Sequence, residues 1–165
     1  MNIVKNNIIK LLLGFLVFAS FASCDEGGNP TAGGTSTEAY AGDWYIQITN
    51  TTGDIEVDYS LHSTYNTAAN DNTMWIDDAK HGWYLKSKVT MDLAKGTFTA
   101  TAVPNLLEDG TTVTITDGKI EKGAGLSKAG HVVDKISFKA TFSYDPTKVL
   151  IYTGHKRTGF LEDEY

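Results

Sequence analysis

Beyond about residue 38, apolar and polar side chains alternate along the chain with a period of two, the pattern of strands that bury one face and wet the other. "WYIQIT" sets Trp44, Ile46 and Ile48 against Tyr45, Gln47 and Thr49, and "DIEVDYSLHS" sets Ile55, Val57, Tyr59 and Leu61 against Glu56, Asp58 and Ser60. "NTTG" between them predicts a first hairpin. "TMWID" is a short strand, "DAKHG" a turn, and "WYLKSKVTM" then puts Trp83, Leu85, Ser87 and Val89 on one face. "GTFTATAV" carries Phe98 and is ended by Pro104. In "TTVTITDGKIEKG" the Asp117-Gly118 pair predicts a two-residue turn between strands. "KISFKATFSY" alternates Ile136, Phe138, Ala140 and Phe142 with Lys and Thr, and "DPTK" turns it into "VLIYTGHKR". No segment shows a helical period.

These segments amount to about eight antiparallel strands joined by short connections, an all-β domain over residues 39–165. Local hairpins outnumber the long returns of a Greek key, so the pattern favours an up-and-down β-barrel over a two-sheet sandwich. The expected inward set comprises Trp44, Ile46, Tyr59, Leu61, Trp83, Leu85, Phe98, Ile136, Phe138 and Phe142. It reads either as an ordinary packed core or as the wall of an apolar pocket with Tyr59 as its polar handle, because a barrel of this size can be filled or can hold one small ligand.

The first residues alter the picture of where the domain works. Lys5 and Lys10 precede an apolar run over residues 11–18, too short to span a bilayer, and small residues then lead to Cys24, the only cysteine. Residues 1–23 therefore read as a signal peptide. The ending Phe21-Ala22-Ser23-Cys24 resembles a bacterial lipobox, which implies cleavage before Cys24 and acylation there, palmitate included. Several buried acyl chains make such an attachment effectively permanent. Residues 24–38, rich in Gly, Thr and Ser, read as the lipidated cysteine and a flexible tether. Asp25 and Glu26 resemble acidic surface-export signals, so the expected location is the outer membrane, facing the periplasm or the exterior.

Removing the leader deletes two lysines and no acids, taking the formal net charge from −6 to −8. So acidic a domain is a poor partner for nucleic acid or an anionic membrane surface. A monomer is expected.

Gly42-Asp43-Trp44 at the head of the first strand resembles the Gly-x-Trp motif of lipocalins, in which the tryptophan lies across the closed end of the barrel. With the lipobox, the tether and the C-terminal "GHKRTGF", the chain resembles the lipocalin-like (calycin-like) lipid-binding lipoproteins of Gram-negative anaerobes over roughly residues 39–160. The resemblance implies that Arg157, with Lys156 as the lesser candidate, packs over Trp44 as a barrel-closing pair. It also implies a small hydrophobic ligand that enters the end away from Trp44, with Ile46, Tyr59, Leu61, Trp83, Leu85, Phe98, Phe138 and Phe142 around it. The tether would hold that mouth near the membrane.

Catalysis finds no evident player. His62, His81, His131 and His155 stand singly, without metal-ligand spacing, and read as turn or strand-end residues. Asp71, Asp77 and Asp78 around Trp75 could form a carboxylate pair or cation site, but read more simply as a solvated strand end. No serine has a nucleophile-elbow setting. The expectation is a binding protein without cofactor or metal. A hydrolase activity sometimes attached to the resembled family has no residues here that would carry it. The alternative function is a surface glycan-binding module that stacks sugars on Tyr45, Tyr65, Trp75, Tyr84 and Tyr152.

Overall fold

The computed structural model describes residues 34–165; the signal segment and Cys24 lie outside the described residues. Eight antiparallel strands follow in order: β1 (Gly42–Thr49), β2 (Ile55–Asn66), β3 (Thr73–Asp77), β4 (Lys86–Asp92), β5 (Thr97–Pro104), β6 (Thr112–Leu126), β7 (Val132–Phe142) and β8 (Asp145–Lys156). Each pairs with its neighbours in sequence, and β8 returns to β1 to close the barrel. The meander is the one that the alternation predicts. With a closed sheet and its own core, the unit from Thr35 to Tyr165 meets the condition for folding alone.

An eight-stranded barrel has an interior about wide enough for side chains to fill. Trp44, Ile46, Ile48, Met74, Ile76, Leu85, Phe98, Ile115, Ile136, Phe138, Phe142, Leu150 and Tyr152 are buried in it. The Phe138 ring stacks on Tyr152 at 4.3 Å and meets Phe98 at 5.7 Å.

Among the register shifts of the sheet, two decide how the alternation is read. On β1 Ile46 and Ile48 pair with Ser60 and Val57, so two residues face three and the phase of β2 reverses. Asp58 holds the bulge, its Oδ1 accepting from the Tyr59 N–H at 2.8 Å and from Gln47 Nε2 at 3.0 Å. As a result Tyr59 and Leu61, expected inside, face outward, while Ser60, His62 and Thr64 take the inward positions. Asp117-Gly118 is the second bulge, not a hairpin turn, and β6 runs through it as one strand. The β7–β8 turn falls on residues 143 and 144 rather than on "DPTK", since Phe142 already pairs with Asp145.

At one end of the barrel a 3₁₀ turn, Glu38–Tyr40, lies over Trp44. Trp44 Nε1 donates to Thr64 Oγ1 at 2.8 Å, and Thr64 Oγ1 donates to the Tyr40 carbonyl at 2.7 Å. The tryptophan is thus the expected plug, but its cation is Lys156, with Nζ 5.9 Å from the indole centroid. Arg157, one position later on the other face of the sheet, instead pairs with Glu164 at 2.8 Å. Alternation decides between them: Lys156 is directly opposite Trp44, on the same face.

Past β8 the chain folds back across the outer wall. Tyr165 stacks on Tyr59 at 4.5 Å, and Asp163 accepts from the Ala129 N–H and from Thr158 Oγ1, both at 2.7 Å. Burial alone would raise the Asp163 carboxyl, but hydrogen bonds from Ser127, Thr158 and Ala129 together with nearby His131 outweigh it and hold it at about 2. A carboxyl depressed in the folded state stabilises above its unfolded value of about 3.9 and loses that contribution as the pH falls through its folded one. The C-terminal segment should therefore loosen between about pH 4 and 2. Amide exchange at Ala129 should accelerate over that window in the native protein and show no such step in Asp163→Asn.

Candidate functional site

The end of the barrel away from Trp44 carries a cleft of about 380 Å³. β3 is short and stops at Asp77, so residues 78–85 cross to β4 as a loop. Trp83, expected at the head of a strand, therefore stands in that loop at the rim. Asn105 fixes the end of the loop: its Nδ2 donates to the Tyr84 carbonyl at 2.8 Å and its Oδ1 accepts from the Lys86 N–H at 2.9 Å. Across the rim, Trp83 Nε1 donates to the Tyr144 hydroxyl at 2.7 Å. Tyr144 belongs to the β7–β8 turn and stacks on Phe142 at 5.4 Å. Lys148 Nζ lies 4.6 Å from the Trp83 ring centroid and 2.9 Å from Glu56.

This arrangement separates two adjoining hollows. One, of about 380 Å³, is lined by Gly82, Trp83, Tyr84, Glu108 and Tyr144. The other, of about 120 Å³, lies between Trp83, Phe142, Tyr144, Asp145, Lys148 and Leu150. Their shared wall is Trp83 and Tyr144. Tyr84 and Tyr144 are both half exposed, at 51% and 50%. Burial of its remaining surface, with the negative charges of Glu108 and Asp145 nearby, pushes the Tyr144 hydroxyl up despite the Trp83 hydrogen bond. It stays a neutral phenol at pH 7, with its oxygen accepting from the indole. Chemically the rim is an aromatic clamp flanked by the Lys148–Glu56 ion pair and by the carboxylates of Glu108 and Asp145, suited to hold an apolar chain and to orient a polar end.

The expected ligand residues divide three ways. Trp83 and Phe142 line the rim hollows. Ile46, Leu85, Phe98 and Phe138 pack on one another in the core. Tyr59 and Leu61 lie on the outer wall, where Tyr59 borders a groove of about 310 Å³ beside Gly125, Leu126 and His155. Of the aromatics expected on the outer face, Tyr152 is fully buried inside and Tyr45 is covered by Tyr165, 4.8 Å between ring centroids.

Tyr144 and Lys148 carry no signal in the alternation pattern, and Tyr152, expected among outer glycan-stacking aromatics, lies inside the barrel. His62 is no strand-end residue but an inward, buried one, and Asp78, expected to be solvated, is fully buried. Asp77 does stay on the outside, where it meets Lys86 at 2.7 Å and the Tyr65 hydroxyl at 2.7 Å. A signal was present: "SLHST" continues β2 without a second apolar residue in register after Leu61, as a phase change would require.

A family model described as "Lipid-binding putative hydrolase" matches residues 29–161. No curated protein matches the chain.

Proposed function

Since the chain belongs to the family described as "Lipid-binding putative hydrolase", whose name and barrel support a lipid-binding role, we propose that it holds a small lipid-like molecule at the open end of its barrel, without turning it over. The observation that carries this reading is the pair of adjoining hollows divided by Trp83 and Tyr144, with Phe142 and Leu150 as an apolar floor. Burial of apolar surface there contributes about 25 cal/mol per Å², so ~200 Å² of acyl chain would supply about 5 kcal/mol. The core residues beneath act as a rigid floor, and the ligand lies over them instead of among them.

Binding without catalysis accords with the hydrogen-bonding of the buried histidines. Among the described residues neither receives a serine or threonine hydroxyl: His62 Nδ1 faces the Ser60 carbonyl at 3.0 Å, and His155 Nε2 faces the Tyr165 hydroxyl at 3.1 Å. We place the protein in the cell envelope, anchored by lipid on Cys24 through the Gly/Thr tether. The described chain begins at the end of the barrel covered by Glu38–Tyr40, opposite the rim.

Residues 25–165, purified without detergent, extracted with organic solvent and analysed by mass spectrometry, should yield close to one lipid per chain, and Trp83→Ala should yield far less. An empty extract together with no displacement of an apolar fluorescent probe would overturn the reading. Glycan binding is favoured only by the half-exposed Tyr84 and Tyr144, and it would gain if the extract were empty and oligosaccharides quenched Trp83.

A further inference from the structure

Below the rim the barrel wall is incomplete as a sheet. β2 pairs with β3 only from Ser63 to Asn66, and past Asp77 the 78–85 loop takes over, with Gly82 beside His62. That loop is wound tightly, with the His81 N–H donating to the Asp78 carbonyl at 2.7 Å and the Lys80 N–H to Asp78 Oδ1 at 2.9 Å. Three of its non-glycine residues, Ala79, Lys80 and Tyr84, have φ of 47°, 67° and 54°, the left-handed region that L-residues occupy at a cost.

Behind the loop, Ser60 Oγ, His62 Nε2, Asp78 Oδ2 and the Tyr152 hydroxyl are buried with no hydrogen-bond partner among the described residues. Buried polar atoms are rarely left so, and several together need an explanation. His62 and Asp78 are 1% and 0% exposed. The His62 Nδ1 contact is to a carbonyl, which only accepts, so Nδ1 carries the proton and Nε2 presents a bare lone pair. Burial lowers the imidazole pKa, which keeps the ring neutral. A Cβ on Gly82 would lie 2.9 Å from both His62 Nε2 and Asp78 Oδ2, so these two acceptors converge on one point of the loop backbone. Tyr152 meets the His62 ring edge-on at 6.1 Å.

We propose that His62, Asp78 and Tyr152 form a head-group cradle for the primary ammonium of a single-chain amphiphile, reached when the 78–85 loop moves aside. The tail would lie in the Trp83 hollow, so the proposal rests on the lipid-binding reading above. Three acceptors, the His62 lone pair, the Asp78 carboxylate and the Tyr152 oxygen, match the three donors of R–NH₃⁺. An alcohol offers one donor and would leave acceptors unpaired. A carboxylate head would set its charge against Asp78. Asp78 also makes no ion pair among the described residues, and its buried Oδ2 has no hydrogen-bond donor, so a cationic head would supply the partner it lacks. Gly82 closes the cradle in the present conformation, and its strained neighbours give the loop a reason to open.

The test compares dodecylamine, dodecanol and dodecanoate at pH 7, each below its micelle concentration, in competition with an apolar fluorescent probe on residues 25–165. Dodecylamine should bind about tenfold more tightly than dodecanol, and dodecanoate least well. Asp78→Asn should abolish the preference for the amine, bringing dodecylamine to within about twofold of dodecanol on the same variant, and Tyr152→Phe should weaken the amine by roughly threefold. Should Asp78→Asn fail to fold, the native protein still decides: the ¹⁵N resonance of His62 Nε2 should move on adding dodecylamine and stay with dodecanol. Equal affinities, a preference for dodecanoate or an unmoved His62 signal would overturn the cradle while leaving lipid binding standing. Failure of all three probes to bind would overturn both.

Discussion

Gly154→Ala should abolish folding, or cost about 4 kcal/mol or more if the barrel survives, as overpacking against backbone does at its extreme. Gly154 stands on β8 between Ile46 of β1 and Ile136 of β7. A Cβ there would come within 2.2 Å of the Tyr45 carbonyl oxygen and 2.8 Å of the Ile46 Cα. Neither is the free end of a flexible side chain, so relief would require the β1–β8 seam to part. That seam closes the barrel, and parting it exposes two edges and the core together. Gly118 has the same relation to Phe98, whose carbonyl oxygen and ring would lie 2.3 Å and 2.4 Å from an added methyl, but the bulge there gives the backbone more room to adjust. Urea unfolding followed by circular dichroism should rank the two substitutions Gly154→Ala worse than Gly118→Ala. A Gly154→Ala protein within 1 kcal/mol of the native one would show that this seam yields more than the geometry allows.

Trp44→Ala should destabilise the domain by about 3–5 kcal/mol. Trp44 is fully buried, and its removal would leave a void under the Glu38–Tyr40 turn too deep for its neighbours to fill. The indole also donates to Thr64, which in turn donates to Tyr40, so the loss would release the turn that closes the end. Trp44→Phe should cost less, since it keeps most of the ring and forfeits the N–H. Lys156→Met should cost only about 0.5–1 kcal/mol, the size of an exposed cation over an aromatic face. Arg157→Met should leave Trp44 fluorescence unchanged, which separates the two cations directly.

The barrel was legible in the sequence because alternation is a local consequence of the pleat, and each strand carries it over at least part of its length. The errors in which face β2 and β6 residues take have one physical origin. A bulge adds a residue to one strand and reverses the face of everything beyond it, and in "EVDYSLHS" the step is marked only by the lack of an apolar residue in register after Leu61, because both phases place apolar groups on some face. Tyr59 and Leu61 were thus assigned inward, and His62 was missed. Asp117-Gly118 has the composition of a hairpin turn, and only its pairing with β5 and β7 identifies it as a bulge whose glycine makes room for Phe98. Asp78 shows the limit of reading charge: beside an outward Asp77 it looked like a second solvated acid, and the turn of the loop buries it. The rim depends on Trp83 meeting Tyr144, two residues 61 positions apart, which no local pattern reports.

The account turns on where a lipid lies, and the three tryptophan indole N–H signals report that in a single ¹H–¹⁵N spectrum. Trp83 N–H points to Tyr144 at the rim and Trp44 N–H to Thr64 at the plugged end, while Trp75 sits on the outer wall between Tyr65 and Lys88. On titrating a micelle-free single-chain lipid, the Trp83 signal should shift and saturate while those of Trp44 and Trp75 hold still. Movement of the Trp44 signal ahead of Trp83, or saturation with Trp83 unmoved, would contradict an open-end lipid site.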